Sequence, residues 1–258
     1  MATIIYPSPI FGPVKSRRLG LSLGINLMPR DGKVCTFDCL YCECGLNKDF
    51  VAHTPRPTRR DVQRALEQKL REMHMEGVVP TVLTFAGNGE PTTHPEFMGI
   101  IGDTRILRDR YCPQAKIAVL SNATLVGRPN VRTALQKVDF NILKLDTVSP
   151  EYIKLVNRPV FPYDVEAVVE NLKAFAGQCI VQTMFLKGTY EGQDVDNTSD
   201  KYVLPWLEAL KQIKPARVQV YTIARETPVA TLEKVAPEEL DRIVALLKDN
   251  GIEAEASY

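Results

Sequence analysis

The 258-residue chain carries 32 Lys and Arg against 31 Asp and Glu, and 45% of its residues are hydrophobic. The resulting net charge of +1 provides no global field for a nucleic acid or an anionic membrane, and the hydrophobic fraction is typical of a globular core. No apolar run approaches the length of a membrane span. The opening residues MATIIYPSPIFGP lack a basic segment followed by an apolar one, so we expect no signal peptide and a cytoplasmic protein.

Six short apolar stretches are predicted as strands, because most of them are continuous rather than alternating, as in strands covered on both faces of a parallel sheet. They span 21–27, 82–86, 117–120, 142–145, 180–185 and 218–223. Helical patterns lie around them, over about 59–75, 97–109, 128–137, 150–156, 165–176, 201–213 and from Pro237 to the pair Asn250-Gly251. Thr58 and Asp61 are predicted to form a variant of the capping box at the start of the first helix.

This alternation of strand and helix predicts an α/β fold, either a βα barrel or a doubly wound sheet. Six units in 258 residues leave no room for eight full repeats with their loops, so we predict an incomplete (β/α)6 TIM-like barrel. No change in composition marks a second domain. We therefore expect one domain over 1–258, with the C-terminal helix and strand within 237–258 packed on the barrel.

Polar residues follow the first four predicted strands, at the ends where βα barrels build their active sites. The first strand leads into a cysteine-rich loop within 28–50. The other three are followed by Gly87-Asn88-Gly89-Glu90-Pro91, by Ser121-Asn122, and by Lys144 and Asp146. We expect these groups to converge on one rim of the barrel and to form the functional site.

The stretch VCTFDCLYCECG holds four of the six cysteines, namely Cys35, Cys39, Cys42 and Cys44. In the cytoplasm, clustered cysteines are more often metal ligands or redox groups than disulfides. A structural zinc site needs four ligands, usually in two separated pairs. Cys44 and His53 are the candidates for a fourth ligand, since Cys112 and Cys179 lie apart from each other. An iron–sulfur cluster held by three cysteines would leave one iron open to a substrate. The spacing alone leaves both alternatives open.

Two motifs resemble those of the radical S-adenosylmethionine (SAM) enzymes. Cys35-x3-Cys39-x-Tyr41-Cys42 resembles their CxxxCxΦC signature, in which Φ is aromatic. FAGNGEPTTHPEF, over 85–97, resembles their Gly-Gly-Glu element after the second strand. The stretches SRRLGLSLGINL, LKLDT and VNRP are similar to a branch of compact iron–sulfur oxidoreductases that resembles the tRNA-wyosine synthases.

The resemblance implies that Cys35, Cys39 and Cys42 bind one [4Fe–4S] cluster and that SAM chelates its fourth iron. A low-potential electron donor, similar to flavodoxin or ferredoxin, would then drive cleavage of SAM to a 5′-deoxyadenosyl radical, which takes hydrogen from an unidentified substrate. Cys44 has no role in the three-cysteine signature. Because no cysteine follows Cys179, we expect a single cluster.

Several rim residues are implied to contact SAM. Gly87 and Gly89 would let the backbone approach its methionine part, although both could serve only a tight turn. Glu90 would accept hydrogen bonds from the SAM amino group, or could instead favour the start of the next helix. The further predicted contacts are Tyr41, Asn88, Ser121, Asn122, Lys144 and Asp146. Lys144 and Asp146 could equally form an internal salt bridge.

The sequence leaves the substrate open. Arg17 and Arg18 could meet an anionic substrate or lie in solvent. One alternative is an activase that installs a glycyl-type radical on a partner protein. Another is an enzyme that modifies a tRNA base, although the net charge of +1 gives that reading no support. A third is a non-catalytic zinc module, which would purify as a colourless protein with stoichiometric zinc.

Overall fold

The computed structural model describes residues 4–16 and 19–258, so Arg17 and Arg18 lie outside the described residues and their role stays a prediction. The strands are β1 (Ile10–Ser16), β2 (Gly20–Ile25), β3 (Val82–Phe85), β4 (Lys116–Ser121), β5 (Phe140–Lys144), β6 (Cys179–Met184), β7 (Lys187–Tyr190), β8 (Gln193–Asp194), β9 (Arg217–Tyr221), β10 (Leu232–Glu233) and β11 (Ala254–Ser257). Eight of them form one sheet in the order β1-β2-β3-β4-β5-β6-β9-β11. The other three form a small sheet in the order β10-β7-β8.

The large sheet is an open barrel, which confirms the predicted fold class. Every neighbouring pair from β2 to β11 is parallel, and β1 alone runs antiparallel to its neighbour β2. Within the described residues, no pairing joins β1 to β11. The six strands predicted from apolar runs form the middle of this sheet. The sequence did not reveal β1, in which Pro13 and exposed positions break the apolar pattern, as an edge strand allows.

The helices are α1 (Arg59–Met75), α2 (Phe97–Tyr111), α3 (Pro129–Leu135), α4 (Pro150–Tyr152), α5 (Val165–Leu172), α6 (Asp200–Ile213) and α7 (Pro237–Asp249). A π-helical turn, Ile153–Asn157, continues α4, and a 3-10 turn, Lys173–Phe175, continues α5. All seven predicted helices are present. The capping box of Thr58 and Asp61 is confirmed, with both of its hydrogen bonds formed. In the described part of the chain, no helix is both long and apolar enough to cross a bilayer.

The side chains inside the barrel change from apolar to polar along the strands. Near the strand starts, Val82, Ala118, Ile142 and Ile180 pack together as a small apolar plug. Two residues further on, and therefore on the same face, β5 carries Lys144 and β6 carries Gln182. These two are neighbours in the parallel register. The sheet thus places its polar interior at the C-terminal ends of the strands, where the predicted rim lies.

Candidate active site

A cavity of about 650 Å³ opens at the C-terminal ends of the strands. The structure brings the predicted site residues together around it: its walls include Cys35, Cys39, Tyr41, Cys42, Gly87, Gly89, Glu90, Ser121, Asn122 and Lys144. Two predicted residues, Asn88 and Asp146, are buried outside the lining. The polar residues that follow the C-terminal ends of four strands therefore converge on one site.

The cysteine loop, residues 28–50, is held from both sides by backbone hydrogen bonds. On one side, the amide of Val34 donates to the carbonyl of Asn88 at 2.9 Å. On the other, the amide of Leu40 donates to the carbonyl of Val156 at 3.0 Å. The loop is therefore clamped between the turn after β3 and the π-helical turn after α4.

Two of the predicted ligand cysteines receive a hydrogen bond from a buried asparagine. Asn122 Nδ2, at the end of β4, lies 3.6 Å from Cys35 Sγ. Asn157 Nδ2, in the π-helical turn, lies 3.8 Å from Cys39 Sγ. Burial raises the pKa of both thiols, and that of Cys39 reaches about 11. A backbone hydrogen bond from Phe37 opposes the rise at Cys35, and the positive charge of Lys144 opposes it at Cys39.

Lys33 is a buried cation of the cysteine loop and lines the same cavity as the three cysteines. Its side chain is 1% exposed, its Nζ donates to the Gly45 carbonyl at 2.6 Å, and it lies 3.7 Å from Asp38 Oδ1. Burial opposes the charge on Lys33, but the negative thiolates and the Asp38 carboxylate outweigh it and raise the pKa of Lys33. The cysteine loop thus encloses a buried ammonium group.

Cys44 is a thiol neighbour of Cys42. Its Sγ lies 3.4 Å from the carbonyl oxygen of Gly87. The proximity of the two thiols lowers the pKa of Cys42 against the effect of burial, and it raises the pKa of Cys44. Cys44 therefore joins the cysteine loop to the turn after β3 through the Gly87 carbonyl.

The donor set fits a group wider than one metal ion. Over residues 4–16 and 19–258, no three His, Cys, Asp or Glu side chains surround one point closely enough to hold a single ion. Zinc would require its sulfur ligands about 2.3 Å away and hence close to one another. In an iron–sulfur cluster each cysteine binds a different iron, so the sulfurs stand farther apart. Three thiols that face one cavity suit the second geometry.

Glu90 joins the turn after β3 to the end of β4. Its buried carboxylate accepts hydrogen bonds from the Thr92 amide at 3.0 Å and from the Thr92 hydroxyl. It also accepts from Ser121 Oγ at 2.9 Å and from the Asn122 amide at 2.7 Å. Burial raises the pKa of Glu90, and these donors oppose the rise. Three of these bonds fall on Oε1 and only that of the Asn122 amide on Oε2, so Oε2 has an acceptor site left over. The bond from a SAM amino group stays a prediction.

Gly87 and Gly89 are required by the packing of the turn. Their φ angles are +128° and +141°, a region that side chains rarely adopt. A Cβ at Gly89 would lie 1.9 Å from the carbonyl oxygen of Val34, and one at Gly87 would lie 2.7 Å from Asn26. The tight-turn alternative therefore accounts for both glycines, and their approach to SAM stays a prediction.

Asn88 faces away from the cavity. Its side-chain nitrogen donates to the carbonyls of Tyr6 at 2.9 Å and Pro29 at 3.1 Å, and its oxygen accepts from the Tyr6 amide at 2.8 Å. The side chain is fully buried. The structure thus gives Asn88 the role of holding the N-terminal segment and the cysteine loop, and a contact with SAM through its side chain stays untested.

Tyr41 and Lys144 belong to one group of buried polar side chains that hydrogen-bond each other. The Tyr41 hydroxyl donates to Asp146 and accepts from Asn157 at 3.0 Å and from Lys144 at 3.2 Å. Lys144 Nζ donates to the Tyr221 hydroxyl at 2.7 Å and lies 3.6 Å from Asp146 Oδ1. Burial opposes the charge on Lys144, but negative neighbours outweigh it and raise its pKa. Lys144 and Asp146 therefore form the internal salt bridge that the sequence offered as an alternative to a contact with SAM.

Sequence reasoning missed three residues of this site. Lys33 lies two residues before the first cysteine, and only its burial distinguishes it from a surface lysine. Asn157 lies in the stretch VNRP, which entered only as part of a resemblance. Tyr221 ends β9, a strand to which the sequence assigned no rim residue. Each of these residues takes its place in the site through contacts that form only when the chain folds.

Comparison with known proteins agrees with the site geometry. Residues 31–202, which contain the cysteine loop and the rim residues, match the family described as the Radical SAM superfamily. The chain belongs to the radical SAM superfamily. Within it, the chain is similar to the UPF0026 protein slr1464 of Synechocystis sp., with 31% identity over 228 residues, 85% of this chain and 77% of the relative. That name states no substrate or reaction.

Solved structures share the fold. A radical SAM methyltransferase from Sphaerobacter thermophilus matches with a TM-score of 0.67 and 18% identity, over 92% of this chain and 66% of that chain. Archaeal TYW1 matches with a TM-score of 0.54 and 12% identity, over 89% of this chain and 72% of that chain. The family match confirms the predicted superfamily, and the solved structures show a shared fold, the level at which the likeness to the wyosine synthases is supported.

Proposed function

We propose that Cys35, Cys39 and Cys42 bind one [4Fe–4S] cluster and that the protein uses it to cleave SAM reductively. The bound cluster would supply one electron to SAM, giving methionine and a 5′-deoxyadenosyl radical that takes a hydrogen atom from the substrate. A low-potential flavodoxin- or ferredoxin-like protein would provide that electron. The observation that carries the proposal is the set of three thiols that line one cavity, two of them with a hydrogen bond from a buried asparagine.

The chain's own residues hold the site in shape. Asn122 and Asn157 orient two of the sulfurs from different elements, and Lys33 lies on the wall of the same cavity. Tyr41 is fixed beside them by Asp146, as hydrogen bonds behind the ligands fix metal sites. SAM is proposed to bind between the cysteine loop and the turn after β3, where its predicted contacts lie.

The test is anaerobic incubation of the iron-reconstituted, chemically reduced protein with SAM. We expect 5′-deoxyadenosine and methionine to form, measured by liquid chromatography and mass spectrometry. The same preparation left unreduced is the matched control and should form neither product. A brown protein with about four irons per chain that cleaves no SAM, with or without candidate substrates, would contradict the proposal.

The alternative functions differ in what the protein acts on and in the metal that it holds. An activase would form a stable complex with a large partner enzyme and leave a persistent protein radical on it, detectable by electron paramagnetic resonance. An enzyme acting on tRNA would show product formation that depends on added tRNA and weakens steeply with salt. The zinc module predicts a colourless preparation with stoichiometric zinc, so metal analysis of anaerobically purified protein separates it from all the others.

A further inference from the structure

Lys33 differs in charge from the two asparagines that hydrogen-bond predicted ligand cysteines. Asn122 and Asn157 offer neutral amides to Cys35 and Cys39. Lys33 instead brings an ammonium group to the wall of the cavity that the three cysteines line. Its side chain is 1% exposed, although a buried charge is costly unless it is paired.

The Lys33 ammonium group shares its carboxylate partner with a second cation. Its nearest carboxylate, Asp38, lies 3.7 Å away and also contacts Arg158 at 3.5 Å. Asp38 Oδ1 further accepts the amide of Asn47 at 2.7 Å, which anchors the carboxylate within the loop. The ammonium group's shortest contact is the neutral Gly45 carbonyl, at 2.6 Å. The three cysteine sulfurs, which line the same cavity, are the other groups whose negative charge acts on Lys33.

We infer that Lys33 is a positioning and tuning residue, whose buried positive charge makes the cluster easier to reduce. This inference rests on the proposed function. Reduction adds one negative charge to the cluster, and a fixed cation beside a ligand sulfur stabilises that extra charge in a medium of low dielectric constant. Net charge and hydrogen bonds to the sulfurs are the levers by which a protein sets the potential of such a cluster.

A simpler role is a mechanical tie, because Lys33 joins the start of the loop to the Gly45 carbonyl. The two roles are separable by substitution. Lys33→Arg keeps the charge and changes the shape. Lys33→Gln keeps a hydrogen-bond donor and loses the charge, and Lys33→Met loses both. Lys48, an exposed lysine of the same loop, provides the matched control Lys48→Met, since its charge is screened by solvent.

The measurement is the midpoint potential of the reconstituted cluster without SAM, from a titration followed by electron paramagnetic resonance, together with iron and sulfide content. At one fixed solution potential, we expect Lys33→Gln and Lys33→Met to lower the ratio of reduced to oxidised cluster about tenfold, which is about 59 mV for one electron. We expect Lys33→Arg and Lys48→Met to stay within about threefold of the parent protein.

Unchanged potentials in both neutral variants, with full iron content, would overturn the inference and leave Lys33 as a tie. If the neutral variants assemble no cluster while Lys33→Arg does, the charge is required at an earlier step, which supports its action on the sulfurs. Equal loss of iron in all three variants would instead show that the shape of lysine matters and not its charge. A parent protein that takes up no cluster would contradict the proposed function itself, a separate result.

Discussion

The strands of the large sheet and the cysteine loop are held together in different ways. From β2 to β6, each strand is bonded to its neighbours by a continuous backbone ladder. In residues 28–50 there is no helix or named strand, only isolated bridges at Lys33 and Val34. The loop takes its shape from single contacts with Asn88, Asn122 and Asn157. A substitution in the loop should therefore disable the site while the sheet stays folded.

The largest expected effect is on metal content. Cys39→Ala removes one of three predicted ligands, and we expect the reconstituted protein to lose essentially all of its iron, against about four irons per chain in the parent. The sheet does not depend on this thiol, so circular dichroism should be unchanged. Iron and sulfide analysis with absorption spectra measures the outcome.

Two other cysteines provide the controls for that experiment. Cys44→Ala should retain the cluster, because Cys44 lies outside the three-cysteine signature and its Sγ donates to the Gly87 carbonyl. Cys179, fully buried in β6, belongs to the sheet, and Cys179→Ala should lower stability without changing iron per folded chain. If Cys44→Ala lost iron as completely as Cys39→Ala, the assignment of three ligands would be wrong.

The next largest effect, on stability, is expected where the cysteine loop contacts the turn after β3. Gly89→Ala places a Cβ 1.9 Å from the Val34 carbonyl oxygen, so the turn after β3 and the start of the cysteine loop must move apart. We expect a loss of about 3 kcal/mol in the free energy of unfolding, from backbone strain and from the broken contacts at Val34. Urea unfolding of the metal-free protein measures this loss.

Gly192 provides the matched control. Its φ is +75°, and a Cβ there would meet nothing within 4 Å. Gly192→Ala therefore isolates the cost of the backbone conformation, about 1 kcal/mol, from the cost of the clash. Equal losses of unfolding free energy in the two variants would show that the contact between Gly89 and the cysteine loop does not add to stability.

The same contrast explains how much of the molecule the sequence could predict. The middle strands were predictable because burial on both faces leaves a continuous apolar run, as in β6. The rim was predictable because polar residues after parallel strands must meet at one end of the barrel. The partners of the cysteines were not, because Asn157 lies 118 residues from Cys39 and no local pattern links them. Lys33 looks like any surface lysine until the loop closes over it.

One edge of the sheet was missed for a related reason. The positions of β1 alternate between half-buried and exposed, and its pairing with β2 is interrupted between Phe11 and Val14. At the other edge a strand was expected within 237–258, and β11 is short, with only Ala254 fully buried. Edge strands have one neighbour and less apolar surface to bury, so composition reveals them poorly. Their existence depends on the strands that they pair with.

The smallest expected effect lies in the scaffold, at the start of α1 and outside the cysteine loop. Thr58 caps α1 by accepting the amide of Asp61, which bonds back in return. Thr58→Ala should cost about 1 kcal/mol in the free energy of unfolding by urea, because it leaves an amide of the first turn without its partner. Thr58→Ser, which keeps the hydroxyl, should recover most of the loss. Iron content and cluster potential should remain those of the parent in both variants, and a change in either would show that the scaffold and the loop are coupled through α1.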